Sequence, residues 1–310
     1  MTDLVSLIRQ SSAPLPLFPP PDLPPDLEAA RFDVFPGAPP IRDIHTVIFD
    51  VYGTLFISAA GDISSTADEP HYRLDSLAAE YGLSAEELRG YFRSEVLKRH
   101  RELGFKEKLQ RKTAYPELRV EEIWAEFLAE RRDSVRGPMP LIDESRELAL
   151  RYELTVNPVY PMPGAENTLA ILRDRGLRLG LISNAQFFTP LLFEAFFGGS
   201  PAALGFDREL LIYSFEIGEA KPSPALFTPA ARRILALGLK PEHVLYVGND
   251  MLNDIFAASQ AGFKTALFAG DSRSLRLRDG DGRVQGLRPD RVIRNLKDVN
   301  ELVERHQPRN

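Results

Sequence analysis

One aspartate stands out as a candidate for chemistry at the edge of a sheet. The stretch HTVIFDVYGTLF, residues 45–56, is a run of β-forming residues that ends in Asp50 and continues into a turn at Gly53. Such a run predicts a buried strand that delivers one carboxylate to the sheet edge. Ligands of open α/β sheets bind beyond the carboxyl ends of the strands, so Asp50 is a candidate active-site group. The alternative is an aspartate that only caps the turn to Gly53.

Three later segments also place polar groups at the ends of predicted elements. LGLISNAQ and VLYVGNDMLND each end a strand-like run in polar residues, and GEAKPSPALF sets a lysine ahead of a helix. Each segment alone is explained by a cap, a turn or a solvated loop. The candidate side chains that they contribute are those of Ser183, Asn184, Lys221, Asn249, Asp250 and Asp254.

The elements that must position these groups alternate between strand and helix beyond Pro163, which predicts a parallel sheet. The strand 46–50 belongs with these later strands. The predicted strands are 177–182, 210–215, 243–247, 264–268 and 291–293. The predicted helices between them are 165–175, 189–197, 223–237 and 253–261.

Two segments differ in character from this alternating region. Residues 11–40 hold ten of the 25 prolines, so we expect an extended or irregular arm there. Residues 64–158 show helical periodicity, which predicts about four helices. We therefore divide the chain into a proline-rich N-terminal arm (1–43), a core domain (44–62 and 159–310) and a helical cap domain (63–158).

Composition narrows the class of partner. The 310 residues include 44% hydrophobic residues and no cysteine, and the net charge is −6. This charge disfavours nucleic acid and anionic membranes, so a small molecule is the better partner. The absence of cysteine excludes disulfides, thiolate catalysis and cysteine-ligated metals. No apolar run approaches the roughly 20 residues that cross a bilayer, and the N-terminal residues do not read as a signal peptide, so we expect a cytoplasmic protein.

The four segments together resemble the haloacid dehalogenase-like superfamily of hydrolases. In that superfamily, motif one is a strand ending in an aspartate nucleophile, motif two a strand-end Ser or Thr, motif three a Lys, and motif four a set of acids around a glycine. The matching positions here are Asp50, Ser183, Lys221 and the segment 248–254, in that order. The resemblance spans residues 45 to about 300. It implies an α/β fold, a doubly wound Rossmann-like parallel sheet with an all-α cap inserted after motif one.

The resemblance also implies roles for the site residues. Asp50 would attack the phosphorus of a phosphate ester, and Lys221 would neutralise charge on the nucleophile and on the transferring group. The hydroxyls of Ser183 and Thr54 would donate hydrogen bonds to the phosphate oxygens. Asn184 would orient the loop or contact the ligand. The first product would be an aspartyl-phosphate, which is later hydrolysed.

Mg²⁺ is the cofactor that this resemblance implies. Mg²⁺ prefers near-octahedral oxygen coordination and usually keeps several waters. The implied ligands are the Asp50 carboxylate, the Tyr52 carbonyl oxygen and an acid of motif four. Depending on the alignment, either Asn249 or Asp250 takes the place of that acid. We favour Asp250 because a carboxylate binds Mg²⁺ better than an amide, with Asp254 orienting a metal-bound water or the motif-three lysine.

Motif one departs from the phosphatase pattern at Tyr52. Phosphatases of this superfamily usually carry a second aspartate there, which protonates the leaving group and then activates water. A phenol with a reference pKa of about 10 is a poor base near neutrality. The form DVYGTL is instead typical of the superfamily's dehalogenases, which displace halide from carbon and need no metal.

Motif four, GNDMLND, favours the metal-binding version of the site, so the phosphatase interpretation is preferred. Three functions stay open. They are a Mg²⁺-dependent phosphatase acting on a small phosphorylated metabolite, a metal-independent 2-haloacid dehalogenase, and a ligand-binding protein that has lost turnover through Tyr52.

Overall fold

Six parallel strands form one sheet in the computed structural model, which describes residues 3–32, 39–60, 72–110, 115–131 and 142–303. Two further strands pair antiparallel with each other. The strands are β1 (Thr46–Phe49), β2 (Phe56–Ser58), β3 (Val159–Pro161), β4 (Arg178–Ser183), β5 (Phe206–Tyr213), β6 (Val244–Gly248), β7 (Lys264–Phe268) and β8 (Arg291–Ile293). The order in the large sheet is β5-β4-β1-β6-β7-β8, which agrees with the predicted α/β fold.

Twelve α-helices are present in the described part of the chain, where none is both long and apolar enough to cross a membrane. A π-helical turn, Met251–Phe256, directly follows motif four, and short 3₁₀ turns cover Pro241–His243 and Leu296–Asp298. The α-helices are α1 (Leu4–Ser11), α2 (Pro25–Glu28), α3 (Tyr72–Ala79), α4 (Ala85–Gln110), α5 (Val120–Arg131), α6 (Ile142–Val156), α7 (Ala165–Asp174), α8 (Thr189–Phe197), α9 (Ser214–Ile217), α10 (Pro224–Ala236), α11 (Ala257–Gln260) and α12 (Val299–Leu302).

Strand β1 lies between β4 and β6, and all four of its residues are buried. Such two-sided burial is typical of strands in parallel sheets. Phe49 is in register with Leu181 of β4 and with Val247 of β6. The residues that follow these three positions therefore meet at one edge of the sheet.

One predicted strand differs from its observed limits by several residues, whereas the others agree to within one residue. The strand predicted at 210–215 begins earlier, at Phe206, and ends at Tyr213, because Ser214–Ile217 turns into helix α9. The segment 253–261, predicted as one regular helix, begins instead as the π-helical turn and becomes α11 only at Ala257.

The helices α3 to α6 form the predicted helical segment between β2 and β3. Their packing centres on stacked aromatic rings: Phe92 lies parallel to Trp124 with the ring centroids 5.4 Å apart, and Tyr152 lies 4.9 Å from Trp124. The antiparallel pair of β2 and β3 at the base of this segment is not predicted from the sequence. The domain limits remain a prediction, and the one after residue 62 lies outside the described residues.

Asn157 links the two places where the chain passes between the sheet domain and the helical segment, one after β2 and one before β3. Its buried Oδ1 accepts hydrogen bonds from the Ser58 hydroxyl at 2.8 Å and from the Ala60 amide at 3.0 Å, and its Nδ2 donates to Glu153 at 2.8 Å.

We expect Asn157→Ala to lower the free energy of unfolding by about 1–3 kcal/mol, because the hydrogen-bonding partners of Asn157 remain buried without it. Urea denaturation measures this loss. Asn167→Ala, at an exposed position of α7, should change stability much less, and an equal loss there would contradict the prediction.

The N-terminal arm packs along the core. Helix α1, which was not predicted, buries Ile8 and contacts α8, where Arg9 donates to the carbonyls of Glu194 and Ala195. The prediction that residues 11–40 contain no regular helix is wrong for the single turn α2. The first residue of a helix has no partner within the helix for a backbone N–H. A proline at this position, Pro25, therefore loses no hydrogen bond.

Candidate active site

A buried lysine joins two carboxylates at the carboxyl edge of β1. Lys221 Nζ donates to Asp50 Oδ1 at 2.7 Å and to Asp254 Oδ1 at 2.6 Å. The exposed fractions of the three side chains are only 3%, 8% and 1%, respectively. The Tyr246 hydroxyl also donates to Asp254, at 3.0 Å. Three of the predicted site residues therefore form one buried ionic cluster.

The electrostatics of this cluster keep the lysine charged. Burial alone would lower the pKa of Lys221, but the Asp254 and Asp50 carboxylates raise it above its ordinary value. Burial raises the pKa of Asp50, and of Asp254 to about 7, while the Lys221 ammonium opposes both rises. Lys221 is thus the main group that stabilises an ionised, nucleophilic Asp50.

The local sequence brings Asp254 against the end of β6. Asp254 Oδ2 accepts a hydrogen bond from the Asp250 amide at 2.9 Å, one turn back along the chain. A Cβ atom on Gly248 would lie 2.4 Å from Asp254 Cγ, so only glycine leaves room for this carboxyl. Directly after β4, Asn184 Oδ1 accepts from the Lys221 amide at 2.7 Å and fixes the loop that carries the lysine.

A small polar cavity opens beside Asp50. Its volume is 20 Å³, which holds roughly one water molecule. The predicted site residues that line it are Asp50, Tyr52, Asn184, Lys221, Asn249, Asp250 and Asp254. Asn253 and Arg276 also line it and were not predicted. Ser183 lies outside the lining, but its hydroxyl helps to hold down the pKa of Asp50.

Thr54 and Asn249 bond to each other in this arrangement. The Thr54 hydroxyl donates to Asn249 Oδ1 at 3.1 Å, whereas we expected it to point at a transferring phosphate. Asn249 Nδ2 donates to the Ser274 carbonyl at 2.6 Å, so both ends of the amide are engaged. Gly53, with φ of 80°, packs so closely here that a Cβ would lie 2.6 Å from Asn249 Nδ2. Asn249 therefore ties the motif-one turn to the loop after β7.

Asp250 is paired with an arginine. Its Oδ2 accepts from Arg278 Nε at 3.0 Å and from Arg278 Nη2 at 2.6 Å. Its Oδ1 accepts from the amides of Leu252 and Asn253, at 2.8 and 3.0 Å, which caps the π-helical turn. Arg278 Nε also lies 3.3 Å from Oδ1, so Oδ1 accepts mainly from the backbone, while Oδ2 accepts from the guanidinium alone.

The Tyr52 side chain does not offer an acid to the cavity. Its hydroxyl lies 2.9 Å from Thr189 Oγ1 at the start of α8. Burial raises the pKa of Tyr52 well above its ordinary value, and the Thr189 hydrogen bond opposes this only partly. The phenol therefore stays neutral and engaged, which agrees with the sequence-based expectation that it is a poor base.

Sequence reasoning missed the arginines that follow β7. Arg276 and Arg278 occupy alternate positions in SLRLRD, and the Arg276 backbone bonds to Asn249 and Met251 at 3.0 and 2.8 Å. The alternation of leucine and arginine was the available signal, since alternate residues of an extended segment share a face. Nothing in the local pattern, however, says that this face meets motif four.

The helical segment reaches the loop that precedes Lys221. The Glu117 amide donates to the Gly218 carbonyl at 3.1 Å, and the Ala220 amide donates to the Tyr115 carbonyl at 2.8 Å. The Glu117 carboxylate accepts from Ser214 at 2.5 Å, while Gln186 bonds to the same stretch. Residues 115–119, which precede α5, therefore border the motif-three side of the site.

The oxygen atoms available beside Asp50 are of the kind that a hard divalent metal such as Mg²⁺ prefers. Asp50, the Tyr52 carbonyl and Asp250 supply only oxygen, and Mg²⁺ is usually held by one or two carboxylates together with waters and substrate oxygens. Among the residues described, no group of three or more His, Asp or Glu side chains could enclose a metal ion by itself. Such a site would need waters or substrate oxygens to complete its coordination.

Comparison with known proteins identifies the class of protein. The sequence profile of the haloacid dehalogenase-like hydrolases matches residues 44–262, which is more than half of the chain. The chain therefore belongs to the haloacid dehalogenase-like hydrolase family. Phosphatases of this family generally use a divalent metal.

Two curated relatives are phosphatases. The phosphoglycolate phosphatase of Nitrosococcus oceani is 32% identical over 161 residues, covering 50% of this chain and 63% of the relative. The phosphoserine phosphatase of Thermus thermophilus is 31% identical over 188 residues, covering 59% of this chain and 68% of the relative. The chain thus spans less than two thirds of the first of them.

A solved structure shares the fold. The 2-haloacid dehalogenase from Pseudomonas syringae pv. tomato has a TM-score of 0.51 and 22% sequence identity, covering 84% of this chain and 97% of that one. At this identity the likeness concerns the fold alone.

Proposed function

We propose that this protein is a cytoplasmic, Mg²⁺-dependent phosphatase that acts on a small phosphorylated metabolite through an aspartyl-phosphate at Asp50. The observation that carries the proposal is the contact of Lys221 Nζ with Asp50 Oδ1 at 2.7 Å. A carboxylate attacks a phosphate ester only if their mutual repulsion is reduced. The phosphatase relatives add support for this substrate class.

In the first step, Asp50 forms a bond to phosphorus while the bond from phosphorus to the ester oxygen breaks. Lys221 neutralises charge on the attacking carboxylate, and Asn184 holds the backbone that carries this lysine. The residues that would hold the metal are Asp50, Tyr52, through its carbonyl, and Asp250. When bound, the metal would act as a Lewis acid on the phosphoryl oxygens.

The leaving alkoxide and the later attacking water need proton transfers that Tyr52 is badly placed to supply. Its hydroxyl is bonded to Thr189, and its raised pKa keeps it neutral. Water then has to supply the proton to the alkoxide in the first step. In the second step water attacks phosphorus, which releases phosphate and regenerates Asp50. We therefore expect slow turnover.

Hydrolysis of a generic aryl phosphate tests the proposal. We expect phosphate release that requires added Mg²⁺ and stops with a chelator, and restoration by Mg²⁺ is the control. Equal release in the chelator would contradict the metal-dependent proposal.

A second candidate, a metal-independent 2-haloacid dehalogenase, is favoured by Tyr52 in motif one and by the arginine already paired with Asp250. Halide leaves carbon without a proton, so a missing acid would cost nothing in that reaction. Halide release from a short 2-haloacid in the presence of chelator would support this candidate. No halide release from any short 2-haloacid would remove it.

Tyr52→Asp should raise the phosphatase rate about tenfold, because a carboxyl beside Asp50 can protonate the leaving group. A well-placed general acid increases the rate roughly a hundredfold or more. The new carboxyl has no neighbouring groups that orient it, so we expect a smaller gain. The steady-state kcat on an aryl phosphate measures the gain.

Tyr52→Phe is the matched control for this change. It also removes the Thr189 hydrogen bond but adds no acid, so it should not increase the rate. Equal gains in both variants would show that the acid is irrelevant. The ligand-binding alternative predicts a different pair of results. The unchanged protein would bind phosphate in the presence of Mg²⁺ without hydrolysing a phosphate ester, and Tyr52→Asp would gain hydrolysis.

A further inference from the structure

The carboxylate expected to bind metal already has a cationic partner. A carboxylate has about four acceptor positions. In Asp250 four donors fill them: the amides of Leu252 and Asn253 on Oδ1, Nη2 of Arg278 on Oδ2, and Nε of Arg278, which lies 3.0 Å from Oδ2 and 3.3 Å from Oδ1. A further ligand interaction at Asp250 therefore requires that one of these donors leave.

The two oxygens of Asp250 are not equally open to exchange. The Oδ1 donors are backbone amides that begin the π-helical turn, so their removal would disrupt a structural element. The Oδ2 donor is a side chain that is 36% exposed and can rotate away into solvent. The oxygen at which exchange is possible is the one that Arg278 holds.

The backbone keeps Arg278 in this place. Its φ is 60°, a left-handed conformation that side chains other than glycine, asparagine and aspartate rarely adopt. The carbonyl of Arg278 accepts from the Asp281 amide at 2.8 Å, and the backbone of Arg276 is bonded on both sides to motif four. A residue held in a disfavoured conformation beside a site indicates a constraint beyond local folding.

The charges of the site balance without a metal. Lys221 pairs with Asp50 and Asp254, Arg278 pairs with Asp250, and Arg276 lines the same cavity, so three cationic side chains accompany the three carboxylates. Arg278 thus supplies the positive charge that Asp250 would otherwise take from a bound cation.

We propose that Arg278 is the resident counter-ion of Asp250 and competes with a divalent cation for Asp250 Oδ2. This inference rests on the proposed magnesium site and adds a determinant of its affinity. The guanidinium weakens metal binding in the substrate-free protein, so that the metal concentration needed to fill the site depends on the identity of residue 278.

Direct metal binding tests this competition without any substrate. Mn²⁺ serves as the probe, and electron paramagnetic resonance counts free Mn²⁺ during titration of the full chain. We expect Arg278→Gln to lower the Mn²⁺ Kd about tenfold or more, because charge-assisted hydrogen bonds are strong enough to support that factor. Arg278→Lys keeps the charge but loses the fork, so its Kd should lie between the two.

Arg283→Gln is the matched control. Arg283 lies five residues away, is 40% exposed and pairs with Asp281 at 2.6 Å, but it does not contact Asp250. Its Mn²⁺ Kd should equal that of the unchanged protein. Adding Asp250→Asn to Arg278→Gln should abolish the gain, which assigns the gain to this carboxylate.

The outcomes separate this inference from the proposed function. Equal Mn²⁺ affinity in the unchanged protein and in Arg278→Gln would overturn it, as would the same gain in Arg283→Gln or no binding in either protein. Should Arg278→Gln fail to give a cooperative thermal unfolding transition, the shift in Arg278→Lys decides. Failure to hydrolyse any phosphate ester would count against the phosphatase proposal but would leave this comparison of Kd values intact.

Discussion

Replacing Lys221 with Met should strongly reduce activity and destabilise the fold by about 3–5 kcal/mol, because the change removes one partner of a buried ion cluster. Asp50 and Asp254 then remain buried with no cation between them. The rate should fall about 10³-fold, since the charge that assists attack on the phosphate is lost. Urea denaturation and aryl phosphate hydrolysis measure the two effects.

A double variant separates the electrostatic cause from a general packing defect. Lys221→Met combined with Asp254→Asn removes one of the two stranded charges, so it should recover part of the lost stability but none of the activity. Lys240→Met, at a side chain that is 70% exposed, should change neither quantity. A double variant no more stable than Lys221→Met alone would show that charge burial is not the cause.

Asp50→Asn should remove the phosphatase activity by at least about 10⁴-fold, the scale expected when a nucleophile is lost. An amide cannot form the acyl-phosphate, while its oxygen can still accept from Lys221. The loss of stability should therefore be smaller than in Lys221→Met, because Lys221 retains Asp254 at 2.6 Å. Steady-state hydrolysis and thermal unfolding together test this pair of expectations.

Trapping of the intermediate sharpens the Asp50 prediction. Rapid acid quenching of the unchanged protein with a ³²P-labelled substrate should leave label on the chain, and Asp50→Asn should retain none. Asp174→Asn, an isosteric change at a side chain that is 70% exposed, is the control and should label normally. Label retained by Asp50→Asn would place the nucleophile elsewhere.

Local sequence patterns were enough to predict the sheet and the residues at its edge. The run 46–49 is buried along its whole length, and strands in parallel sheets carry this kind of continuous apolar pattern. Since parallel strands end at the same edge, Asp50 and the residues after β4 and β6 had to converge. The four helices between β2 and β3 were readable for the same reason, from apolar periodicity along short stretches.

Local patterns were weaker where an element depends on distant partners. Helix α1 has few residues and is stabilised by its contact with α8, nearly two hundred residues later. The sequence pattern starts β5 too late because three consecutive charged residues, 207–209, follow Phe206, and the pairing of β5 with β4 sets the true start of the strand. The single turn α2 was hidden by the prolines around it.

By itself, the sequence determined which residue types stand at the ends of the central strands. Its resemblance to the four motifs of the superfamily, and not a strand end, placed Lys221 in one site with Asp50. Only the tertiary structure decided where the remaining side chains point. Tyr52 bonds to Thr189, Thr54 bonds to Asn249, and Asp250 pairs with Arg278. The geometry of a strand fixes the direction of the side chain at its end. A side chain in a turn instead points to whichever partner the fold brings near it. The partners named here lie between 28 and 195 residues away along the chain, so local sequence does not reveal them.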